Sequence, residues 1–189
     1  MTRRPVAVPG PHPGPSALPG QRSEAHDRDM ETLTITPASV DGFLAGHHLA
    51  VVGASDESSS FGRTIVEALA EHGYDVVAVH PTSGPVAGQP CHRTLADVPG
   101  ELDGVIVMTS AEAATEVVRD CLDLGVDHVW LFKGLGGTGA LSDDAVRLCR
   151  EHDIEVVAGA CPLMFLEPIG WFHKLHRAAR HLRGDLADA

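Results

Sequence analysis

The fold is decided by the stretch Leu49-Ala-Val-Val-Gly-Ala-Ser-Asp-Glu-Ser-Ser-Ser-Phe-Gly-Arg-Thr-Ile-Val-Glu-Ala-Leu-Ala70. Residues 49–52 are short and wholly apolar, which predicts a strand buried on both faces. Gly53 opens a run of small residues that turns the chain and leaves room for a ligand beside the backbone. From Gly62 onwards the apolar residues recur with the period of a helix. Strand, small-residue turn and helix form the first half of a βαβ unit, and the N-terminus of such a helix favours an anion such as a phosphate.

The glycine pattern of this turn is shorter than a dinucleotide-binding fingerprint. Only Gly53 and Gly62 remain of Gly-x-Gly-x-x-Gly. A strand, turn and helix of this kind also occurs as a fold junction that holds no ligand. The stretch alone therefore leaves both interpretations open.

Four further apolar runs follow, and all five alternate with segments of helical period. The predicted strands are residues 49–52, 75–79, 104–108, 127–132 and 154–158. Because these runs are continuously hydrophobic, they predict a parallel sheet covered by helices on both faces. Right-handed crossovers then give a three-layer, doubly wound α/β fold with five strands. The predicted strand order is 3-2-1-4-5, with a ligand crevice at the carboxyl ends of the first and fourth strands.

Hydroxyl side chains mark the starts of several predicted helices. Thr36 and Ser142 are predicted N-caps, and either Thr109 or Ser110 caps the helix between the third and fourth strands. Residues 82–93 contain several Gly and Pro and are predicted to form a loop.

Composition divides the chain into three parts. Residues 1–29 are rich in Pro and Gly without an apolar period, which predicts a disordered tail and places the start of the functional protein near Met30. Residues 30–167 form the predicted folded domain. Residues 168–189 are predicted to form a basic amphipathic helix over 169–182, followed by a short tail.

The last predicted helix has two distinct faces. Its apolar stripe is expected to dock on the domain or on a second copy of the chain, which would form a homodimer. Its basic face is either solvated or a clamp on an anionic ligand or an acidic partner. His173 and His176 have a spacing that suits a metal, but no third ligand accompanies them, so no metal site is predicted. The stripe consists of Phe172, Leu175, Ala179 and Leu182, and the basic face includes Lys174, Arg177, Arg180 and Arg183.

Charge and cysteine spacing exclude several classes of function. The formal net charge is −12 at pH 7, which argues against nucleic-acid binding through phosphate neutralisation. The chain has no apolar run of the roughly 18 residues that a membrane span needs. The four cysteines are widely spaced without Cys-x-x-Cys, which argues against a zinc site or redox pair and favours a reducing cytoplasm.

The residues after the second predicted strand discriminate among nucleotides. An NAD site usually has Asp or Glu after this strand, because a carboxylate accepts hydrogen bonds from the ribose hydroxyls. This chain has His80-Pro81 instead, which suits a phosphorylated ribose better and keeps NADP as an alternative. The same dipeptide is also compatible with a plain turn.

The order and spacing of several motifs resemble those of a known family. The motifs are Val-Val-Gly-Ala-Ser55, Gly62, Gly73-Tyr-Asp-Val-Val-Ala-Val-His-Pro81, Val86-Ala-Gly88, Thr94-Leu-Ala-Asp-Val-Pro99, Gly125-Val-Asp-His-Val-Trp130 and Cys161-Pro162. Together, over about residues 45–165, they resemble the single-domain CoA-binding proteins, which are similar to the CoA-binding domain of the succinyl-CoA synthetase alpha subunit. The resemblance implies a Rossmann-like domain that binds coenzyme A, with the pyrophosphate near Gly53, Ala54 and Ser55 and the adenosine near His80 and Pro81.

The chain differs from this family at two places. Many members have Asn-Pro-Lys where His80-Pro81-Thr82 stands, which leaves His80, Lys133 or Arg63 to contact the 3′-phosphate. Many also have Gln-Gly where this chain has Lys133-Gly134. The residues predicted to bind the cofactor are Gly53, Ala54, Ser55, Phe61, Gly62, Arg63, His80, Pro81, Thr109, Lys133 and Gly134.

Cys161 is the candidate for catalysis, because a thiol near a CoA thioester suggests acyl transfer. It would need a lowered pKa. The alternative is a buried, inert cysteine at the exit of the fifth strand. The leading hypothesis is therefore non-catalytic or regulatory binding of CoA or an acyl-CoA. The alternatives are an NAD(P)-binding redox-sensing module, an interaction module with a vestigial pocket, and a CoA-dependent acyltransferase that uses Cys161.

Overall fold

The computed structural model describes residues 35–82, 84–134 and 139–166. The chain divides into the units Met1–Thr32 and Leu33–Ala189, and every described residue belongs to the second. The predicted tail over 1–29 and the predicted basic helix over 169–182 lie outside the described residues, as do His173 and His176.

The described residues form one parallel sheet with helices on both faces. Its strands are β1 His48–Val52, β2 Asp75–Val79, β3 Cys91–His92, β4 Gly104–Val107, β5 His128–Phe132 and β6 Glu155–Ala160. The helices are α1 Pro37–Ala45, α2 Phe61–Glu71, α3 Ala111–Leu124 and α4 Asp143–Glu151, with short 3-10 turns at Leu95–Asp97 and Pro162–Met164. All neighbouring strands are parallel, in the order β3-β2-β1-β4-β5-β6.

The doubly wound α/β fold is confirmed, but the described sheet has six strands rather than five. The additional strand is β3, which lies at the end of the predicted loop over 82–93. It pairs with β2 through Ala78 opposite Cys91 and Val79 opposite His92. A strand of two residues has no detectable hydrophobic period, and the nearby Gly and Pro indicate a turn, so the sequence did not predict it.

The missing strand also made the predicted strand order wrong. The prediction placed the apolar run at 104–108 beyond the second strand, whereas that run forms β4 and pairs with β1 on its other side. The third position belongs to β3 instead. The strand order therefore reverses between β1 and β4. The crevice lies beside residues 104–107 and not beside the predicted fourth strand at 127–132, so this part of the prediction was also wrong.

Alternating side chains of the strands form two cores. In β1, Leu49 and Val51 pack towards α1 and α2, whereas Ala50 and Val52 pack towards α3 and α4. The first core is the one on the α1 and α2 side. It centres on Trp130, which is fully buried and donates its indole N–H to the carbonyl of Ala160 at 3.0 Å. Because this bond satisfies the indole N–H, the burial of Trp130 leaves no unpaired donor on its side chain.

Phe43 on α1 holds the first core together, because its ring meets that of Trp130 edge-on at a centroid distance of 5.2 Å. Phe43→Ala should lower the free energy of unfolding by roughly 3–5 kcal/mol, since the buried ring would leave a cavity. Chemical denaturation measures this loss. Leu124→Ala is the control, because Leu124 is 45% exposed and its truncation should change stability by less than about 0.5 kcal/mol. Equal losses in the two variants would contradict the assigned core.

Candidate functional site

The candidate site lies at the carboxyl ends of β1 and β4, which end side by side at Val52 and Val107. The helix after β1 packs on one face of the sheet, and the helix after β4 packs on the other. The two connections therefore diverge and leave a crevice between them, as parallel α/β sheets do at a reversal of strand order.

Gly53 turns the chain at the floor of this crevice. Its φ is +90°, and its N–H donates to the carbonyl of Val79 at 2.8 Å. A Cβ at this position would lie 3.0 Å from the carbonyl oxygen of Met108 and 3.3 Å from the Thr109 methyl group. Both the backbone angle and the close approach of the next connection therefore require glycine here.

Gly62 allows α2 to pack directly on this turn. A Cβ on Gly62 would lie only 2.7 Å from the Cα of Ala54, which is itself fully buried. The two glycines that remain from the longer fingerprint thus have separate structural roles. Gly53 makes the turn tight, and Gly62 brings the first helical turn against it.

The N-terminus of α2 is not capped by a side chain. The hydroxyl groups of Thr36, Ser110 and Ser142 accept backbone N–H groups at the starts of α1, α3 and α4. Ser60 occupies the same position in α2 and makes no such bond. The first-turn N–H groups of α2 therefore stay available to an anionic ligand, and the helix dipole favours one there.

Arg63 brings a positive charge to this helix start. Its guanidinium forms an ion pair with the carboxylate of Asp56 in the loop after β1. The same carboxylate oxygen accepts the N–H of Ala87 at 2.9 Å. Ala87 has a φ of +50° and lies in a tight turn closed by Val86 and Gln89. Asp56 therefore connects the loop after β1 with the turn that precedes β3.

His80 follows β2, on one side of the crevice. Its N–H donates to the carbonyl of His92 at 2.9 Å, and its ring Nδ1 accepts the N–H of Thr82 at 3.3 Å. Because Nδ1 is an acceptor, the neutral ring carries its proton on Nε2. The ring is half-buried and the following Pro81 is exposed.

Lys133 and Gly134 follow β5, on the other side of the crevice. Both are half-buried, and the N–H of Lys133 donates to Ala160 at 3.4 Å. Next to them Phe132 meets Phe61 of α2 at a centroid distance of 6.5 Å. Phe61 is 64% exposed, so this aromatic pair offers an apolar surface beside the helix start.

The predicted cofactor residues thus extend along one edge of the sheet. Direct contacts within this edge join Gly53 to Thr109 and Gly62 to Ala54, while Ser55 lies half-buried in the turn between them. His80 and Pro81 lie on the β2 side, and Lys133 and Gly134 lie on the β5 side.

The opposite edge of the sheet also has a cavity, of about 610 Å³, but its chemistry differs. It lies where α1 and α3 end, and its lining includes Glu101, Asp103, Asp127 and His128. Carboxylates and helix C-termini repel a phosphate, so this cavity does not suit a nucleotide. The carboxyl edge is therefore the candidate site.

Residues 47–167 match the family model described as the CoA binding domain. The chain belongs to this family. The matched region contains both the turn at Gly53 and the strand exit at Cys161.

Relatives of this CoA binding domain differ in size. ADP-forming acetate–CoA ligase I of Archaeoglobus fulgidus is 27% identical over 118 residues, which are 60% of this chain and only 17% of the ligase. The uncharacterized protein YneT of Bacillus subtilis is 25% identical over 113 residues, 60% of this chain and 80% of YneT. A hypothetical protein from Pyrococcus horikoshii shares the fold with a TM-score of 0.60 at 24% identity, covering 66% of this chain and 84% of that one.

Three residues of this edge were not among the predicted site residues: Asp56, Phe132 and Ala87. Asp56 and Ala87 lie 31 positions apart, so no local pattern links them. Gly88 is a local sign of a turn, and in the structure both Ala87 and Gly88 have positive φ. Phe132 was counted only as the end of a strand.

Cys161 is buried in the CoA binding domain, with 5% of its surface exposed. This burial raises the pKa of its thiol to about 11, although a hydrogen bond from the backbone of Leu163 partly opposes the shift. Burial also raises the pKa values of Cys121 and Cys149 to about 12. These thiols are protonated at neutral pH, which is not the environment of an activated nucleophile.

Among the described residues, no helix combines the length and the apolar character needed to cross a membrane. No three His, Cys, Asp or Glu side chains in that part of the chain are grouped so as to hold a metal ion.

Gly62→Ala tests the close packing of α2. An alanine normally stabilises an exposed helix by roughly 1 kcal/mol over glycine. Here the new Cβ would meet the backbone of Ala54, so we expect a loss of about 1–3 kcal/mol instead. Chemical denaturation gives the sign. Gly84→Ala is the matched control, since nothing lies within 4 Å of its added Cβ. Stabilisation in both variants would contradict the packing described here.

Alkylation tests the environment of Cys161. With a pKa of about 11, only roughly 0.1% of the thiol is ionised at pH 8. Iodoacetamide should therefore modify Cys161 slowly in the folded protein, with a rate that rises up to about pH 11. Half-buried Cys91 should react before it. Peptide mapping after timed quenching gives each rate, and the unfolded protein provides the reference. Rapid modification of folded Cys161 at pH 7 would contradict the prediction.

Proposed function

We propose that this domain binds coenzyme A or an acyl-CoA at the carboxyl ends of β1 and β4, without catalysing a reaction on it. The observation that carries the proposal is the start of α2. It is the α-helix of the described residues that no side chain caps, and two glycines hold it directly against the turn after β1. A pyrophosphate fits there because backbone N–H groups supply the charge complement that an acidic chain otherwise lacks.

The adenosine end is proposed to lie on the β2 side, near His80 and Pro81. No carboxylate follows β2 to accept bonds from a free ribose diol. A ribose that carries a 3′-phosphate suits a histidine better, because the imidazole can donate from Nε2. This difference favours CoA over NAD.

The pantetheine arm is proposed to extend the other way, towards Lys133, Gly134 and Cys161. The Phe61 and Phe132 rings offer apolar area for its carbon chain. The half-buried Lys133 leaves a cation near the acyl end.

The proposal of binding without catalysis rests on the state of the candidate nucleophile. Cys161 is buried and protonated at neutral pH. Ligase activity belongs to relatives of which this chain spans a small fraction, 17% in one case. A regulatory or carrier role therefore accounts for the described residues with fewer assumptions than acyl transfer.

Titration of the full chain with CoA, acetyl-CoA, NADP and NAD tests the proposal. A ligand at about 100 times its dissociation constant stabilises the folded state by roughly 2.7 kcal/mol. For a domain of this size the melting temperature should rise by about 5–10 °C with CoA or acetyl-CoA. Isothermal titration calorimetry then gives the affinity.

Two matched variants locate the site. Ser55→Trp places a large side chain in the turn after β1 and should abolish the CoA shift. Leu124→Trp places the same side chain at the opposite cavity and should preserve the shift. Retained binding in folded Ser55→Trp would contradict the proposed site. A rise in melting temperature with NADP alone would favour the NADP-binding redox module over CoA binding. No rise with any of the four ligands would overturn the proposed function.

A further inference from the structure

Arg63 occupies an unfavourable position in α2. It is the third residue of the helix, where the positive end of the helix dipole disfavours a cation. The first turn of α2 contains no acidic residue to offset this charge. Its counter-ion is Asp56, which lies seven positions earlier in the loop after β1. Asp56 therefore places an anion of the chain itself next to the helix start.

Asp56 is held there by a second bond that does not depend on Arg63. Its Oδ1 also accepts the N–H of Ala87, at 2.9 Å. Ala87 is fixed in turn, because the flanking Val86 is fully buried and exchanges two backbone hydrogen bonds with Gln89. The carboxylate can therefore stay in place when the guanidinium moves.

We propose that Asp56 pairs with Arg63 in place of a ligand phosphate, and that a phosphate bound at the start of α2 takes Arg63 from it. This inference rests on the proposed function and names the residues that set the affinity of its site for phosphorylated ligands. Arg63 recognises the phosphate, and Asp56 is a positioning residue that holds Arg63 until the ligand arrives.

The chemistry of the two anions explains the exchange. A guanidinium has five N–H donors and bonds phosphate oxygens in a fork, with more acceptors than one carboxylate oxygen offers. The side chain of Arg63 is 34% exposed, so it is accessible to a ligand. After the exchange Asp56 loses its ion pair and also repels the phosphate. Both effects make Asp56 lower the affinity for the ligand.

The exchange is tested by whether Asp56→Asn raises or lowers the affinity for the ligand. The amide oxygen of Asn can still accept the Ala87 N–H, but the competing charge is gone. Calorimetry on the full chain should show CoA and inorganic pyrophosphate binding roughly three- to tenfold more tightly at low salt, and less so at high salt. Arg63→Gln should weaken both ligands by roughly tenfold. Substitution of a residue with a purely structural role would not make the ligand bind more tightly.

The double variant separates exchange from simple repulsion. Repulsion between Asp56 and the phosphate persists without Arg63, whereas competition for Arg63 does not. The gain from Asp56→Asn should therefore be smaller in the Arg63→Gln background. Asp123→Asn removes the same charge from an exposed position on α3 and should change affinity less than about twofold. Thermal unfolding of each variant confirms that it is folded.

Each outcome decides a different question. If the unaltered chain binds CoA but Asp56→Asn does not bind it more tightly, the exchange is wrong and the proposed function stands. An equal or larger gain in the Arg63→Gln background also overturns the exchange. If the unaltered chain binds neither CoA nor pyrophosphate, the proposed function and this inference are both wrong.

Discussion

The carboxyl edge of the sheet depends on one packing contact, that of the first turn of α2 on the turn after β1. Gly62 and Ala54 approach so closely that a single added Cβ would fall 2.7 Å from backbone. This contact fixes the direction of α2, and the placement of its neighbours follows. The uncapped N–H groups are brought to the crevice, the Phe61 ring reaches Phe132, and the Arg63 guanidinium reaches Asp56. The proposed anion site is therefore a consequence of backbone packing, with side chains added around it.

The two edges of the sheet present different groups to an anion, although the chain as a whole is strongly acidic. At the amino edge Asp103 accepts the N–H groups of His48 and His47 at 2.8 and 2.7 Å. These backbone bonds, with the His48 bond contributing most, hold the pKa of Asp103 below its usual value, so the carboxylate is charged at neutral pH. At the carboxyl edge a helix N-terminus supplies positive potential instead. A net charge of −12 is thus compatible with an anionic ligand, because the sheet separates the acidic edge from the helix start.

Local features were predictable from the sequence, and non-local ones were not. The bounds of β2 agree with the predicted strand at 75–79, because a buried apolar run between a turn and a proline is defined by its own residues. A cap at Thr109 or Ser110 and another at Ser142 were predicted for the same reason, and Ser110 and Ser142 each accept a backbone N–H group. In contrast, the strand order depends on β3, which has only two residues and is recognised by its pairing with β2. The Asp56 contact with Ala87 likewise joins segments that only the folded sheet brings together. The sequence therefore predicted the local elements of this edge but not the bonds between them.

Departures from local preference concentrate at the carboxyl edge, and this clustering is an independent argument for function there. α2 begins without a side-chain cap and has a cation in its first turn, and the neighbouring Phe61 is largely exposed. Ala87 adopts a positive φ nearby, at a cost of about 1 kcal/mol or more for a non-glycine residue. Asp153 also has a positive φ, but it follows the end of α4, where such angles are common. A ligand phosphate would relieve one of these departures by accepting the uncapped N–H groups of α2. Natural sequences keep such local conflicts chiefly where binding or catalysis requires them.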